Sequence, residues 1–376
     1  MLKMLAFVFA FLFIQPTQNV QQLPATVEKP TIQIALLLDT SNSMDGLIDQ
    51  AKSQLWKMVN ELATTKKKGV APYIEIALYE YGNSGLAQSD NYIRQVSELS
   101  SDLDLVSERL FGLSTNGGDE YCGAVIEDAT LKLKWSPATD DLKLIFIAGN
   151  EPFTQGPVDF RKACKDAISD GIQINTIFCG DYNEGINTSW KEGADLADGE
   201  YLNIDQSQEV VHVATPFDQD ILELNQKLNE TYIGYGREGE SRKEMQMTQD
   251  ANAAEYGAAN AASRASYKAK DSYRNSSWDL VDAMEDDAEI LEEIEVEELP
   301  AEMQEMSGEE RVAFVEEKSK ERSAIQEQIL SLEKEAEAFR KEAMEEMAGE
   351  PNTLDKVMLS AVREQAEAKE FKAEEN

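Results

Sequence analysis

Residues 31–38, which read TIQIALLL, form a continuously apolar run that is β-branched at its start. A strand with one face in water would alternate apolar and polar side chains, so an unbroken run is typical of a strand buried on both faces. Strands of that kind belong to parallel sheets that helices cover on both sides. The run therefore predicts an α/β domain.

The segments that follow this run alternate between helical and strand patterns. Apolar residues recur at helical spacing from Leu47 to Leu62, and residues 73–82 (YIEIALYEYG) then have the pattern of a second strand. The succession continues to about residue 235, and such alternation implies right-handed crossovers. We therefore predict a doubly wound, mainly parallel sheet flanked by helices, which binds ligands outside the carboxyl ends of its strands.

The composition changes after about residue 237. Residues 237–277 are rich in Ala, Asn and Ser and predict a helix or a flexible linker, whereas residues 278–376 are strongly acidic. Within the acidic region Ser307 and Glu310 have the spacing of a capping box, and an apolar stripe at three- and four-residue spacing runs from Arg322 to Ala343. We predict an α-helical tail that forms a helical hairpin or a coiled coil.

The amino terminus has the pattern of a secretory signal. Lys3 precedes the apolar run LAFVFAFLFI at residues 5–14, which is too short to span a bilayer. We therefore predict a signal peptide at residues 1–22, an α/β domain at residues 30–236, and export to a periplasm or out of the cell. No other stretch is long and apolar enough to predict a membrane span.

Charge and histidine content exclude several function classes. The 376-residue chain carries a net charge of −37, which disfavours nucleic acid and anionic membrane surfaces as partners and attracts cations. Because the chain has a single histidine, zinc sites built from histidines and catalysis by Ser/His/Asp or Cys/His groups are disfavoured. We expect the protein not to be an enzyme.

The pentapeptide DTSNS, residues 39–43, directly follows the first apolar run and precedes the first helical pattern. Asp39, Ser41 and Ser43 present oxygens on alternate residues, and hard divalent cations such as Mg²⁺, Ca²⁺ or Mn²⁺ prefer oxygen ligands. The same residues could instead form a Ser/Asn turn that caps the helix without an ion.

This D-x-S-x-S motif after a buried strand resembles the metal-ion-dependent adhesion site (MIDAS) of von Willebrand factor A (VWA) domains, and the order of elements up to about residue 235 is similar as well. The resemblance implies that a second loop, typically Gly-Gly-Thr before a helix, supplies another oxygen ligand. In this chain Asp119 follows two glycines in the segment STNGGDEYCGA. Asp119 is therefore the candidate ligand, with Thr115 as the alternative.

The third loop departs from the family pattern. The resemblance implies an Asp at the end of the fourth strand, but the segment FIAGNEPF has Gly149 at that place. Asn150 and Glu151 follow and could supply the missing oxygen. If Asp119 replaces Thr in the second loop, the number of carboxylates in the site is unchanged.

The three cysteines are Cys122, Cys164 and Cys179. Cys122 and Cys179 are both predicted at the carboxyl edge of the sheet, which makes them a candidate disulfide in an exported protein. The alternative is three buried, unpaired thiols.

The sequence supports three functional hypotheses. The first is an exported binding module that uses its metal ion to engage a protein partner through an acidic side chain. The second is an assembly protein with a degenerate metal site, which self-associates through its helical tail. The third is a metal-assisted hydrolase that uses Asp39, Asp119 and Glu151.

Overall fold

The computed structural model describes residues 29–205, 207, 213–346 and 354–373. The signal peptide predicted at residues 1–22 lies outside the described residues. The strands are β1 (Thr31–Asp39), β2 (Thr65–Lys67), β3 (Tyr73–Tyr81), β4 (Ile93–Ser100), β5 (Leu142–Gly149), β6 (Gln173–Cys179), β7 (Tyr201–Ile204) and β8 (Phe371–Ala373). The helices are α1 (Asp45–Ala63), α2 (Leu103–Phe111), α3 (Cys122–Lys132), α4 (Phe160–Ser169), α5 (Tyr182–Asn187), α6 (Trp190–Asp195), α7 (Asp218–Asn229), α8 (Gly239–Glu255), α9 (Ala258–Lys268), α10 (Leu280–Asp286), α11 (Ile290–Glu293), α12 (Ala301–Gln304), α13 (Gly308–Glu346) and α14 (Leu354–Ala368).

Six strands form one sheet in the order β4-β3-β1-β5-β6-β7. All neighbours pair in parallel except β4, which pairs with β3 in the antiparallel sense. Numbered within the sheet alone, this is the doubly wound order 3-2-1-4-5-6, whose topological switch point lies between its first and fourth strands. The predicted doubly wound, mainly parallel sheet is confirmed, and the switch point falls between the ends of β1 and β5.

The central strand β1 is buried on both faces, as its apolar run predicts. Ile34 and Leu36 belong to the apolar layer that includes α1, whereas Ala35 and Leu37 belong to the opposite layer, beneath α3 and α4. Two apolar layers therefore hold the strand rigidly, and its last residue, Asp39, is fixed at the edge of the sheet.

Residues 237–277 contain two helices, α8 and α9, and α9 packs against α1 and α7. A buried ionic cluster joins these helices to α2: Arg264 donates to Asp104 at 2.7 Å and to Asp250 at 2.6 Å, and Lys268 donates to Asp250 at 2.9 Å. Buried charges of this kind are costly unless they are paired, so the cluster fixes the register between the helices. The core of the α/β unit therefore extends beyond residue 236.

Helix α13 begins with the predicted capping box, in which the Glu310 carboxylate accepts from the Ser307 amide at 2.8 Å. Along this helix Ile325 and Ile329 of the apolar stripe are buried, and the helix packs against α7 and α9. Arg322 of α13 donates to Asp279, which caps α10, at 2.7 Å. The first part of the stripe is thus covered by the chain's own domain, whereas Phe339 further along it is 41% exposed.

Helix α14 packs against α1, and β8 behind it pairs with β2 in a small antiparallel sheet. The Phe371 side chain is buried there. In the described part of the tail, α13 and α14 each pack on the α/β unit rather than on each other as in the expected hairpin. No helix in the described ranges is long and apolar enough to cross a membrane.

Candidate metal centre

Asp39 ends β1 and is fully buried. Its Oδ1 atom accepts a hydrogen bond from the Ser41 amide at 2.7 Å, which fixes the turn after the strand. Its Oδ2 atom is also buried but has no hydrogen-bond partner among the described residues. A buried carboxylate oxygen without a partner carries a large desolvation cost, which a proton or a cation at this atom would offset.

The two serines of the motif lie beside this carboxylate. The Ser41 and Ser43 hydroxyl oxygens are 3.2 Å apart, and Ser41 is buried while Ser43 is exposed. The Asn150 amide donates to the Ser43 hydroxyl at 3.2 Å, and its own Oδ1 atom is buried without a partner in the described structure. The hydroxyls of the predicted motif and the third loop therefore meet at one edge of the sheet.

Glu120, which the sequence analysis did not single out, is the second carboxylate of the site. Its side chain is only 4% exposed and contacts the carboxyl group of Asp39. Burial, followed by the charge of Asp39, raises the pKa of Glu120 to about 9. Burial also raises the pKa of Asp39, to about 6, although a hydrogen bond from Glu120 lowers it. Like charges this close cannot both ionise without a counter-ion, so the pair holds a proton when no cation is present.

The loop that follows the two glycines turns Asp119 outwards. Asp119 is exposed, and its carboxylate accepts from the Tyr121 hydroxyl at 3.2 Å. Thr115, the alternative ligand, donates its hydroxyl to the Asp45 carboxylate. The structure thus brings Glu120 to Asp39 in the place that the sequence analysis gave to Asp119 or Thr115.

The loop that carries Asp119 and Glu120 packs closely on the end of β3. A Cβ atom on Gly118 would lie 2.5 Å from the carbonyl oxygen of Gly82, so the loop rests directly on the end of β3. A Cβ atom on Gly82 would in turn lie 2.7 Å from both Asp39 Oδ1 and Glu120 Cγ. Because Gly82 and Gly118 have no side chains, the loop can pack on the end of β3 and the carboxyl groups of Asp39 and Glu120 can meet there.

Gly149 closes the other side of the site. A Cβ atom there would lie 2.5 Å from the Tyr81 hydroxyl and 3.2 Å from Asp39 Oδ2, so an Asp side chain has no room at this position. Glu151 is exposed, accepts from the Gln155 amide at 3.0 Å, and raises the pKa of Asp39 through its charge, after the larger effect of burial. Glu151 is therefore close enough to act on an ion electrostatically or through a water.

The donor set fits a hard cation. No cluster of three or more His, Cys, Asp or Glu side chains that could hold a metal occurs within the described ranges. The site instead combines two carboxylates, Asp39 and Glu120, with the hydroxyls of Ser41 and Ser43. Oxygen ligands completed by water suit Mg²⁺ and Ca²⁺, and the unpaired Oδ2 atom of Asp39 is the observation that such an ion would satisfy.

The candidate disulfide is absent, since all three cysteines are free and buried. Cys122 packs in the apolar layer beneath α3 and α4, whereas Cys179 packs in the layer that includes α1. The two thiols therefore lie on opposite faces of the sheet. Cys179 ends β6 with its side chain in the α1 layer, whereas Cys122 begins α3 in the opposite layer, so the sheet separates the two residues.

No protein-family model and no curated protein matches the chain. Among solved structures, the conserved hypothetical protein BatB from Bacteroides thetaiotaomicron is 17% identical, with a TM-score of 0.35 over 47% of this chain and 91% of that one. The SpRpn10 VWA domain is 16% identical, with a TM-score of 0.36 over 48% of this chain and 90% of that domain. Proximal thread matrix protein 1 from the mussel byssus, with a zinc-occupied MIDAS motif, is 16% identical, with a TM-score of 0.35 over 46% of this chain and 42% of that one.

The VWA-type fold expected from the sequence is confirmed by the strand order and by the position of the motif at the end of β1. The assignment of individual residues to the metal site rests on the geometry of this chain alone.

Proposed function

We propose that the protein is an exported binding module that holds a divalent cation, Mg²⁺ or a similar ion, between Asp39, Ser41, Ser43 and Glu120. The buried contact between the Asp39 and Glu120 carboxyl groups, with one Asp39 oxygen unpartnered, carries this proposal. Two carboxylates balance the charge of a divalent ion, so the ion would relieve the repulsion between them.

The remaining coordination positions would be filled by water and by an oxygen from a protein partner. Ser43 is exposed, so the ion would be reachable from solvent on that side. Asn150 and Glu151 lie where they could hold a bound water rather than ligate directly. We propose binding rather than catalysis, because the ion would engage both buried carboxylates and would leave neither of them free to act as a general base.

Binding at this site is favoured over assembly through the tail. Ile325, Ile329 and Ala336 of the apolar stripe on α13 are buried, and α14 is packed on α1, so much of the surface that would form a coiled coil is used within the chain. The proposal of export rests on the charged and apolar pattern of residues 1–22 and is tested by sequencing the amino terminus of the secreted protein.

Calorimetric titration of the full-length chain with Mg²⁺ and Ca²⁺, together with melting temperatures, tests the metal site. Asp39→Asn and Glu120→Gln should abolish the binding heat, whereas Asp119→Asn, which removes an exposed charge in the same loop, should leave it intact. At a hundredfold excess over its dissociation constant the ion should stabilise the fold by about 2.7 kcal/mol. No heat with any of these ions, or binding lost with Asp119→Asn but kept with Glu120→Gln, would contradict the proposal.

A further inference from the structure

We infer that Asn116 is a site of spontaneous covalent modification in the folded protein, where its side-chain amide is converted to isoaspartate and aspartate. Asn116 and Gly117 form the only Asn-Gly pair in the sequence, and they lie in the loop that carries Asp119 and Glu120. The inference concerns the chemistry of one peptide bond, so it does not depend on the binding of an ion.

The conversion needs water as its only co-reactant. The backbone nitrogen of Gly117 loses its proton to a base in solution and attacks the side-chain carbonyl carbon of Asn116. A C–N bond forms there, the bond to the side-chain nitrogen breaks, and ammonia leaves with a proton from the solvent, which gives a cyclic imide. Water then opens the imide at either of its two carbonyl carbons, and the products are aspartate and isoaspartate. Glycine favours the attack because it has no Cβ atom that would obstruct it.

The structure leaves both reacting groups accessible. Asn116 is exposed, and among the described residues neither its side-chain amide nor the Gly117 N–H group has a hydrogen-bond partner. Asn83 in the neighbouring loop is different: it is buried, its amide donates to the Ser114 carbonyl at 2.9 Å, and its oxygen accepts from the Gly85 amide at 2.9 Å. Asn83 must break both bonds before it can react, whereas Asn116 has none to break.

Two backbone hydrogen bonds fix the chain on either side of the reacting peptide bond. The Asn116 amide donates to the Thr40 carbonyl at 2.9 Å, and the Gly117 carbonyl accepts from the Ser84 amide at 2.8 Å. The first bond ties the loop to the DTSNS motif, and the second ties it to the segment after β3. Isoaspartate adds one carbon atom to the backbone between these two bonds, so they cannot both keep their geometry. The modification therefore loosens the second loop of the candidate metal centre.

The conversion also adds one negative charge beside the DTSNS motif. A Cβ atom on Gly117 would lie 3.4 Å from the side-chain nitrogen of Asn42, so the modified bond is next to this motif. The Asn116→Asp variant carries the same added charge on a backbone of ordinary length. Comparing this variant with the modified protein therefore separates the effect of the charge from the effect of the longer backbone.

Mass spectrometry of the full-length chain, incubated at neutral and at mildly alkaline pH and then digested with trypsin, tests the inference. In the peptide of residues 110–132 Asn116 is the only asparagine, and its mass should rise with time by the difference between a hydroxyl and an amino group. The rise should be faster at the higher pH, and Edman sequencing should stop at residue 116 where isoaspartate has formed. The peptide of residues 69–94, which contains Asn83, is the internal control and should keep its mass.

Two substitutions test the route and its consequence. Gly117→Ala, whose added carbon makes only ordinary contacts, should slow the conversion several-fold because it obstructs the attack. The incubated native chain should melt a few degrees lower than the fresh chain, since the longer backbone strains the loop. Asn116→Asp should melt like the fresh native chain, and Asn116→Gln, incubated in parallel, should keep its melting temperature.

A constant mass of residues 110–132 in the folded chain, while the same chain converts in urea, would overturn the inference, because the anchored loop would then prevent the attack. Conversion at an unchanged rate in Gly117→Ala, or aspartate without isoaspartate, would overturn it as well, since direct hydrolysis does not pass through the imide. Equal melting temperatures of the fresh and the converted native chain would contradict the loosening of the loop.

Discussion

Asp39 and Glu120 bring their carboxyl groups together at the carboxyl end of β1, beside Gly82. One residue ends the central strand, and the other begins the approach to α3, so the contact joins two segments far apart in the sequence. Because both groups are buried, the contact is stable only when a proton or a cation lies between the charges. The fold thus requires a positive charge at this pair of carboxyl groups, and no basic side chain among the described residues supplies it.

Because a proton and a metal ion compete for this pair of carboxyl groups, we predict that Mg²⁺ affinity rises with pH. Glu120, with a pKa of about 9, holds its proton at neutral pH, and the metal must displace it. Affinity should therefore increase steadily from about pH 6 to pH 9, with about one proton released per ion. Calorimetry in buffers of different ionisation enthalpy measures both quantities. Binding that is independent of pH over this window would show that Glu120 is not a ligand.

The stability of the metal-free protein should follow the opposite trend. The folded state keeps the Glu120 proton up to about pH 9, whereas the unfolded chain releases it near its ordinary pKa of 4.5. Folding therefore takes up a proton between these values, and the contribution of this group to stability falls as pH rises across the window. Glu120→Gln should flatten that part of the melting-temperature profile, while Asp119→Asn should leave it unchanged.

The missing third-loop Asp leads to a packing prediction. Gly149→Ala should destabilise the fold by about 1–3 kcal/mol, because the added Cβ atom would lie 2.5 Å from the Tyr81 hydroxyl. Adding Tyr81→Phe removes the obstructing oxygen, so the double variant should lose less than the sum of the two single variants in denaturant titrations. Gly308→Ala, at an open position that begins α13, is the control and should not destabilise. Full additivity would contradict this steric explanation.

Much of the fold was predictable because it depends on contiguous patterns. The apolar run of β1 and the alternation of strand and helix patterns specify a doubly wound sheet, and Asp39 must then lie at its carboxyl edge. The capping box at Ser307 and Glu310 was predictable for the same reason, since its two partners are three residues apart.

Which acid of the second loop faces Asp39 was not predictable from the pattern. Two adjacent acids follow the glycines, and their directions depend on how this loop packs against Gly82 at the end of β3. The tail was not predictable either, because a stripe such as Ile325 and Ile329 fits a partner helix and the chain's own α7 equally well. Both outcomes depend on long-range packing rather than on local sequence.

We predict that the three cysteine thiols react with a thiol reagent only after the protein is denatured. Burial raises the pKa of Cys122, Cys164 and Cys179, so none should react with a thiol reagent in the folded protein. All three should react after denaturation without a reductant. Recovery of one thiol instead of three would show that a Cys122–Cys179 or other bridge forms despite their separation across the sheet.

The buried ionic cluster predicts that α8 and α9 are required for the domain to fold. Arg264→Met should cost about 3–5 kcal/mol, because it leaves Asp104 and part of Asp250 buried without their cation. Lys162→Met, which breaks an exposed pair with Asp166, is the control and should have no measurable effect. Chemical denaturation of both variants measures the difference. Equal, small losses would mean that α9 is only loosely attached.

We predict that strand β8 contributes to the free energy of unfolding of the whole domain. Phe371 in β8 is 1% exposed, and the Lys67 ammonium lies 4.9 Å from the centre of its ring. Phe371→Ala should lower the free energy of unfolding by roughly 3–5 kcal/mol through the lost apolar burial. Lys372→Ala, at the exposed neighbouring position, should change it little. If Phe371→Ala shifts only the local protection of β2 amides in hydrogen exchange and leaves the global transition unchanged, then β8 unfolds independently of the sheet.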